Sequence, residues 1–132
     1  MIESGHLEAT PLHGSRLEGE DFVVVEWRAG TDTSRERPVA GLHVHHEDDE
    51  AWYVLEGTLG FQIGDDLVTA PAGSAVLVPK GTPHSYWNAG DAEARYVLVM
   101  SPRTAALVAE LHSGPRESFA EIFRRHASEL LP

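Results

Sequence analysis

The feature of the sequence that most constrains its fold is the spacing of its turns. Between about residues 20 and 100, short apolar stretches are interrupted by glycine or proline every eight to twelve residues. The stretches, such as DFVVVEWRAG and EAWYVLEG, are rich in β-branched and aromatic residues and lack a helical period. Antiparallel strands joined by tight turns have this pattern. We therefore predict an all-β domain, a small antiparallel β-barrel or jelly roll, with its core at about 20–100.

The pattern changes at Ser101 and Pro102, where helix signals begin. Serine suits a helix N-cap, proline suits the first turn, and Gly114 suits a helix end. Further on, apolar residues fall at helical spacing on one face: Phe119, Ile122, Phe123 and Leu130. We predict one or two C-terminal helices at about 102–131, packed outside the barrel or on a partner subunit. So short a segment cannot bury its own core, so residues 1–132 are predicted to form a single domain.

Composition limits the partners that the protein can have. The 132 residues carry a formal net charge of −11, and the ten lysines and arginines are scattered. Nucleic acids and anionic membranes require a basic patch, so this charge argues against both. The absence of cysteine excludes disulfides and thiolate chemistry. No apolar run has the form of a signal peptide or a membrane span, so we expect a cytoplasmic protein.

Histidines and carboxylates are concentrated in HVHHEDDE, residues 43–50. His43 and His45 are two residues apart, so their side chains leave the same face of one strand. A short acidic turn can return Glu50 beside them, and His84 follows the rigid turn PKGTP. Three imidazoles and one carboxylate at one point suit a divalent transition metal: Fe, Mn, Ni, Co, Cu or Zn. Four protein ligands would leave coordination positions open for a substrate.

The same stretch also has a simpler interpretation. An isolated His-x-His on a strand is more often a pair of exposed polar residues than a pair of ligands, and Asp48 and Asp49 suit a solvated turn. With Glu50 at a suitable distance, the two interpretations are about equally supported. The residues of this stretch alone therefore leave the metal site and the charged turn both open.

Two stretches together resemble the paired motifs of the cupin superfamily. In the first motif, His-x-His is followed by four residues, a glutamate, six residues and a glycine, which matches 43–45, Glu50 and Gly57. The second motif is similar to GSAVLVPKGTPHSYWN at 73–88, and fifteen residues separate the two. One departure is that the opening glycine of the first motif would fall at Arg37, which affects local strand geometry and not the ligands.

The resemblance implies a metal-binding cupin barrel whose metal ligands are His43, His45, Glu50 and His84. Within the superfamily, the chain resembles the small single-domain cupins of the quercetin-dioxygenase-like group, and small cupins are commonly homodimers. His46 is expected to face away from the metal. The remaining histidines, His6, His13, His112 and His126, are expected at the surface, with His126 near a helix interface.

Strand alternation predicts which side chains surround the metal. Counting from Glu50 and His84 points Trp52 and Tyr86 into the barrel, and we place Phe61 at the floor of the same substrate pocket. The alternative is that these aromatic residues only pack the core. Tyr96, Leu98 and Met100 share one face of the last strand, and the sequence does not determine whether that face is the inner one.

An apolar, aromatic pocket suits a small aromatic or enolic molecule. Together with this pocket, the resemblance to the quercetin-dioxygenase-like cupins implies a metal-dependent oxygenase or dioxygenase in which Glu50 serves as ligand and as base. Three alternatives stay open: a cupin isomerase or cyclase, a non-catalytic module that holds a metal and a small ligand as sensor or store, and a relic with an empty site. A sugar-phosphate isomerase would need more cations near the metal than Lys80, Arg28 and Arg95.

Overall fold

A computed structural model describes residue 12 and residues 16–132. The predictions for His6 and His13 lie outside this part of the chain. This part of the chain forms nine strands, then two α-helices, then a tenth strand. The strands are β1 (Arg16–Glu18), β2 (Val23–Ala29), β3 (Ala40–His45), β4 (Glu50–Glu56), β5 (Thr58–Ile63), β6 (Asp66–Pro71), β7 (Ala75–Val78), β8 (His84–Asn88), β9 (Ala94–Met100) and β10 (Ser128–Leu130). The helices are α1 (Pro102–Ser113) and α2 (Phe119–Arg125), with a 3₁₀ turn at Arg116–Ser118 between them.

The strands form two five-stranded antiparallel sheets, which confirms the predicted all-β fold. One sheet has the order β1-β2-β9-β4-β7 and the other β10-β3-β8-β5-β6. Together they make a β-sandwich of the jelly-roll type, whose inner faces enclose a continuous apolar core. Strands with one buried and one solvated face alternate in burial, as β9 does along its whole length.

Alternation places the aromatic residues of the core as predicted. Trp52 is 2% exposed and faces inward, while its neighbour Tyr53 is 46% exposed. Tyr96, Leu98 and Met100 are all buried, so their face of β9 is the inner one. The inward face of β9, which the sequence left undetermined, is therefore the face that carries Tyr96, Leu98 and Met100.

The glycine between β4 and β5 is required by two features of its surroundings. Gly57 has φ +76°, a conformation that L side chains rarely adopt. A Cβ atom at this position would also lie 2.9 Å from the Cα atom of Ala94. The close approach brings the end of β9 against the turn, so a glycine is the residue that fits.

The C-terminal segment differs in part from the prediction. Ser101 caps α1 as expected, since its Oγ accepts a hydrogen bond from the Thr104 backbone N–H at 3.0 Å. The second helix was predicted to run to the end of the segment, and this is wrong: α2 ends at Arg125 and a strand follows. Ala127 adopts φ 54°, which breaks the helix and redirects the chain, and β10 then pairs with β3. Within the described residues, no helix has the length and apolar character needed to cross a bilayer.

Candidate metal centre

Four side chains from three strands converge inside the sandwich. His43 and His45 lie on β3, Glu50 begins β4 and His84 begins β8. Antiparallel pairing of β3 with β8 sets His43 directly opposite His84. One ligand atom of each residue lies within 4.8 Å of those of the other three, and all four side chains are buried. A solvated turn would leave them exposed, so the burial argues against the simpler interpretation of this stretch.

The backbone fixes the orientation of two of the imidazole rings. The Nδ1 atom of His43 lies 2.6 Å from the carbonyl oxygen of Gly41, and that of His84 lies 3.0 Å from the carbonyl oxygen of Thr82. A carbonyl oxygen only accepts hydrogen bonds, so Nδ1 carries the proton in both rings. Each neutral ring then presents the lone pair of Nε2 toward the cluster, the arrangement found in metal-ligating histidines.

The ring of His45 is held by a side chain instead. Its Nδ1 atom lies 2.7 Å from Oγ of Ser128, on β10. Ser128 is 3% exposed, and its register position in the sheet is opposite His45. Ser128 is not among the predicted site residues, because it lies 83 positions from His45 in a segment predicted to be helical.

The carboxylate of Glu50 lies between two of these rings. Its Oε1 is 3.2 Å from Nε2 of His45 and 3.1 Å from Nε2 of His84. Burial opposes the ionised form, but the two neighbouring imidazoles outweigh it and lower the pKa of Glu50 from 4.5 to about 2. Burial, followed by the charges of His84 and His45, lowers the pKa of His43 from 6.5 to about 3. At neutral pH, Glu50 is therefore anionic and His43 neutral, the states that metal binding requires.

The donor atoms of the cluster fit a cation. Among the described residues, the buried Nε2 atom of His45 has no hydrogen-bond partner. Nε2 of His84 lies 3.1 Å from Glu50 Oε1, close enough to share a proton with the carboxylate in the metal-free protein. A cation bound among these atoms would satisfy the unpaired nitrogen of His45 and take the place of that shared proton. The cluster of His43, His45, Glu50 and His84 could therefore hold a metal ion.

A cavity of about 690 Å³ opens beside the cluster, and three of the four side chains, all except His84, form part of its wall. The barrel interior contributes Trp52, Tyr86 and Leu98 to this wall. The C-terminal segment contributes an apolar side: Leu107, Val108, Leu111, Phe119, Phe123 and Leu130. The helices were predicted to pack outside the barrel or on a partner. Instead, their apolar faces line the cavity, and the ring of Phe123 lies 5.5 Å from that of His43.

Two of the three predicted pocket residues lie in the cavity wall, and the third does not. Trp52 and Tyr86 line the cavity, but Phe61 is fully buried behind them. Phe61 pairs with Tyr86 across β5 and β8, so its ring stacks on that of Tyr86 at 5.7 Å and meets the ring of Trp52 at 5.1 Å. The prediction for Phe61 is wrong because these two rings stand between it and the cavity.

The charged residues of the cavity differ from those considered in the sequence. Lys80, Arg28 and Arg95 are not in its wall, and the two arginines form ion pairs on the sheet surface. Arg37 and Arg116 line the cavity instead, and neither forms an ion pair within the described part of the chain. Arg37 could have been considered from the sequence, because it precedes Pro38 and the strand that carries His43 and His45.

The remaining polar residues near the site have structural contacts. His46 faces solvent, 3.6 Å from Glu129. Asp49 accepts a hydrogen bond from the Lys80 backbone N–H at 2.8 Å, which ties the acidic turn to the turn before β8. His112 is exposed, as predicted, but lies at the edge of the cavity.

Comparison with solved structures finds the same fold in several bacterial proteins. A cupin protein from Bacteroides fragilis matches 74% of this chain and 85% of its own, at 13% identity and a TM-score of 0.60. A conserved protein with a double-stranded β-helix domain from Klebsiella pneumoniae matches 76% of this chain and 91% of its own, at 26% identity and a TM-score of 0.53.

A third similar structure is a sugar phosphate isomerase of the cupin superfamily from Silicibacter pomeroyi. It matches 61% of this chain and 50% of its own, at 26% identity and a TM-score of 0.51. No curated protein matches the sequence. Residues 34–100, half of the chain, match the cupin domain family and contain all four residues of the cluster. With its two-sheet fold and its buried cluster of three histidines and a glutamate, the chain belongs to the cupin family.

Proposed function

We propose that this cupin binds one divalent transition metal through His43, His45, Glu50 and His84 and catalyses an oxygenase- or dioxygenase-like reaction on a small aromatic or enolic molecule. The observation that carries the proposal is that the buried cluster faces a cavity with a mostly apolar wall. A metal bound there would supply Lewis acidity and open coordination positions. The protein would supply the shape of the cavity and the exclusion of water.

Aromatic side chains beside the cluster support the proposed substrate class. The ring of Trp52 lies 5.9 Å from that of His84 and 5.3 Å from that of Tyr86, in edge-on arrangements. Both side chains form part of the cavity wall, where a flat ring could pack against them. The aliphatic side chains of α1 form the opposite side, so a planar organic molecule would be enclosed by apolar atoms with one end at the cluster.

The predicted role of Glu50 divides into two parts. Its pKa of about 2 makes the carboxylate a ready ligand for a cation but a weak base. We therefore propose Glu50 first as a ligand, and its role as the base that takes the substrate proton stays a prediction. Unchanged turnover in Glu50→Gln protein that still binds metal would remove the base role.

Oxygen uptake by the metal-loaded protein tests the proposed reaction. We expect O₂ consumption on addition of an aromatic or enolic probe, with catechol, a flavonol and acetylacetone as the first three. The activity should be lost in His84→Ala and kept in His46→Ala, which removes an exposed histidine beside the ligand strand. Probe binding without O₂ uptake, detected by tryptophan fluorescence, would contradict the enzyme and favour a sensor or storage role.

An isomerase is the second candidate, favoured by the two arginines of the cavity wall. Arg37 and Arg116 have no ion-pair partner among the described residues and could bind a phosphate or carboxylate group. Turnover of a sugar phosphate without O₂, reduced by Arg116→Gln, would identify this reaction.

Two finer predictions from the family resemblance remain proposals. Membership of the quercetin-dioxygenase-like group depends on the reaction that the oxygen-uptake measurement identifies. A homodimer is supported by exposed apolar side chains on the outer face of the first sheet, Tyr53 and Leu77 among them. Sedimentation equilibrium should give twice the chain mass of 14.4 kDa, and a monomer at all concentrations would exclude the dimer.

A further inference from the structure

We propose that Ser128 is a positioning residue of the metal centre: it fixes the proton and the ring of His45, so that the C-terminal strand completes the site. The inference rests on the metal site of the proposed function. It assigns a role to a segment outside both cupin motifs and outside the matched residues 34–100.

The backbone carbonyl of His126 sets the direction of the two hydrogen bonds that Ser128 makes. Oγ of Ser128 lies 3.1 Å from the backbone carbonyl oxygen of His126, which only accepts. The single hydroxyl proton is therefore donated to His126. The lone pairs of Oγ then accept the Nδ1–H of His45 at 2.7 Å, which leaves Nε2 of His45 unprotonated and directed at the cluster.

The chain holds Ser128 in place through the turn before it. Ala127 has the positive φ of 54°, and its carbonyl oxygen accepts a hydrogen bond from the His46 backbone N–H at 2.9 Å. His126 is anchored to α2, because its Nδ1 donates to the carbonyl oxygen of Ile122 at 2.7 Å. The serine hydroxyl is thus connected to the helix on one side and to the ligand strand on the other.

This dependence distinguishes His45 from the other two histidines. His43 and His84 donate to carbonyl oxygens two residues away in their own strands or turns, so local backbone alone sets their rings. The ring of His45 depends on a side chain 83 residues away. Undocking of β10 would remove that acceptor and allow the proton of His45 to move to Nε2, where it blocks metal binding.

The affinity for Zn²⁺, measured by competition with a chromophoric chelator, tests the role of the hydroxyl. We expect Ser128→Ala to weaken binding about 10- to 100-fold, as loss of a ligand-orienting partner does, and Ser128→Thr to restore most of it. The matched control is Ser85→Ala, because Ser85 is a similarly buried serine beside His84. Its hydroxyl makes no hydrogen bond to a histidine ring in the described part of the chain. The control should change the affinity less than about threefold, within the usual range of substitutions that break no specific interaction.

The tautomer of His45 distinguishes the two possible roles of Ser128. If Ser128 only stabilised the fold, its replacement would not change which nitrogen of His45 carries the proton. Long-range ¹H–¹⁵N spectra of metal-free protein should show the proton on Nδ1 in the wild type and in Ser128→Thr, and a shift toward Nε2 in Ser128→Ala. A wild-type ring protonated only on Nε2, or equal affinities in wild type and Ser128→Ala, would overturn the inference. Failure of the wild type to bind any metal would instead overturn the proposed function, and the spectra would still decide the tautomer.

Discussion

Replacing His84 by alanine should reduce the affinity for a divalent transition metal by at least about 100-fold. Binding free energies of about 10–16 kcal/mol for tetrahedral zinc sites put about 3 kcal/mol on each of four ligands, and 1.4 kcal/mol is tenfold. The side chain is 1% exposed, and among the described residues the cluster contains no further histidine or carboxylate that could take the place of Nε2. His43→Ala should have an effect of the same size.

Elemental analysis of dialysed protein and chelator competition measure this loss. His46→Ala is the matched control, since it removes a histidine of the same segment whose side chain is about half exposed. We expect near-stoichiometric metal in the wild type and the control, and little in His84→Ala. Full metal content in both His43→Ala and His84→Ala would show that the ion lies elsewhere.

Replacing Phe61 by alanine should lower the free energy of unfolding by about 3–5 kcal/mol, the range of phenylalanine truncations in well-packed cores. Phe61 is fully buried and contacts the rings of both Trp52 and Tyr86, which cannot both collapse into the space it leaves. The same two rings form part of the cavity wall, so the substitution should also weaken ligand binding while the His43, His45, Glu50 and His84 cluster stays in place.

Urea denaturation of metal-free protein measures the change in stability. Leu67→Ala on the neighbouring strand β6 is the control, because Leu67 is 55% exposed and should cost less than about 1 kcal/mol. A loss below about 1 kcal/mol for Phe61→Ala would mean that the aromatic cluster does not hold the core together. Comparison with Leu67→Ala shows how much of the loss comes from removing a core contact and how much from shortening a large side chain.

The grouping of the four candidate ligands follows in part from local rules, but the residues alone left a charged turn equally open, and the resemblance to the two cupin motifs favoured the metal site. His43 and His45 share a strand face, Glu50 returns after a tight turn, and His84 follows a turn made rigid by prolines. Glycines at the corners, such as Gly57 and Gly64, take the positive φ angles that such turns require. The strand order and the inner face of β9 could not be obtained in this way, since each depends on pairings between distant segments.

The residues that the sequence analysis misplaced all depend on tertiary contacts. Phe61 has the inward parity of a pocket residue, but the rings of Trp52 and Tyr86 cover it. Leu130 fits a helical period, yet the turn at Ala127 makes its segment, which includes Ser128, a strand. Periodicity alone does not distinguish a last helical turn from three residues of strand that complete a sheet.

The most direct test of the account is anomalous X-ray diffraction from crystals of the metal-loaded protein. We predict one strong anomalous peak for each chain, about 2.0–2.2 Å from Nε2 of His43, His45 and His84 and from a carboxylate oxygen of Glu50. A peak elsewhere, or none at this position in protein that carries stoichiometric metal, would contradict the central claim.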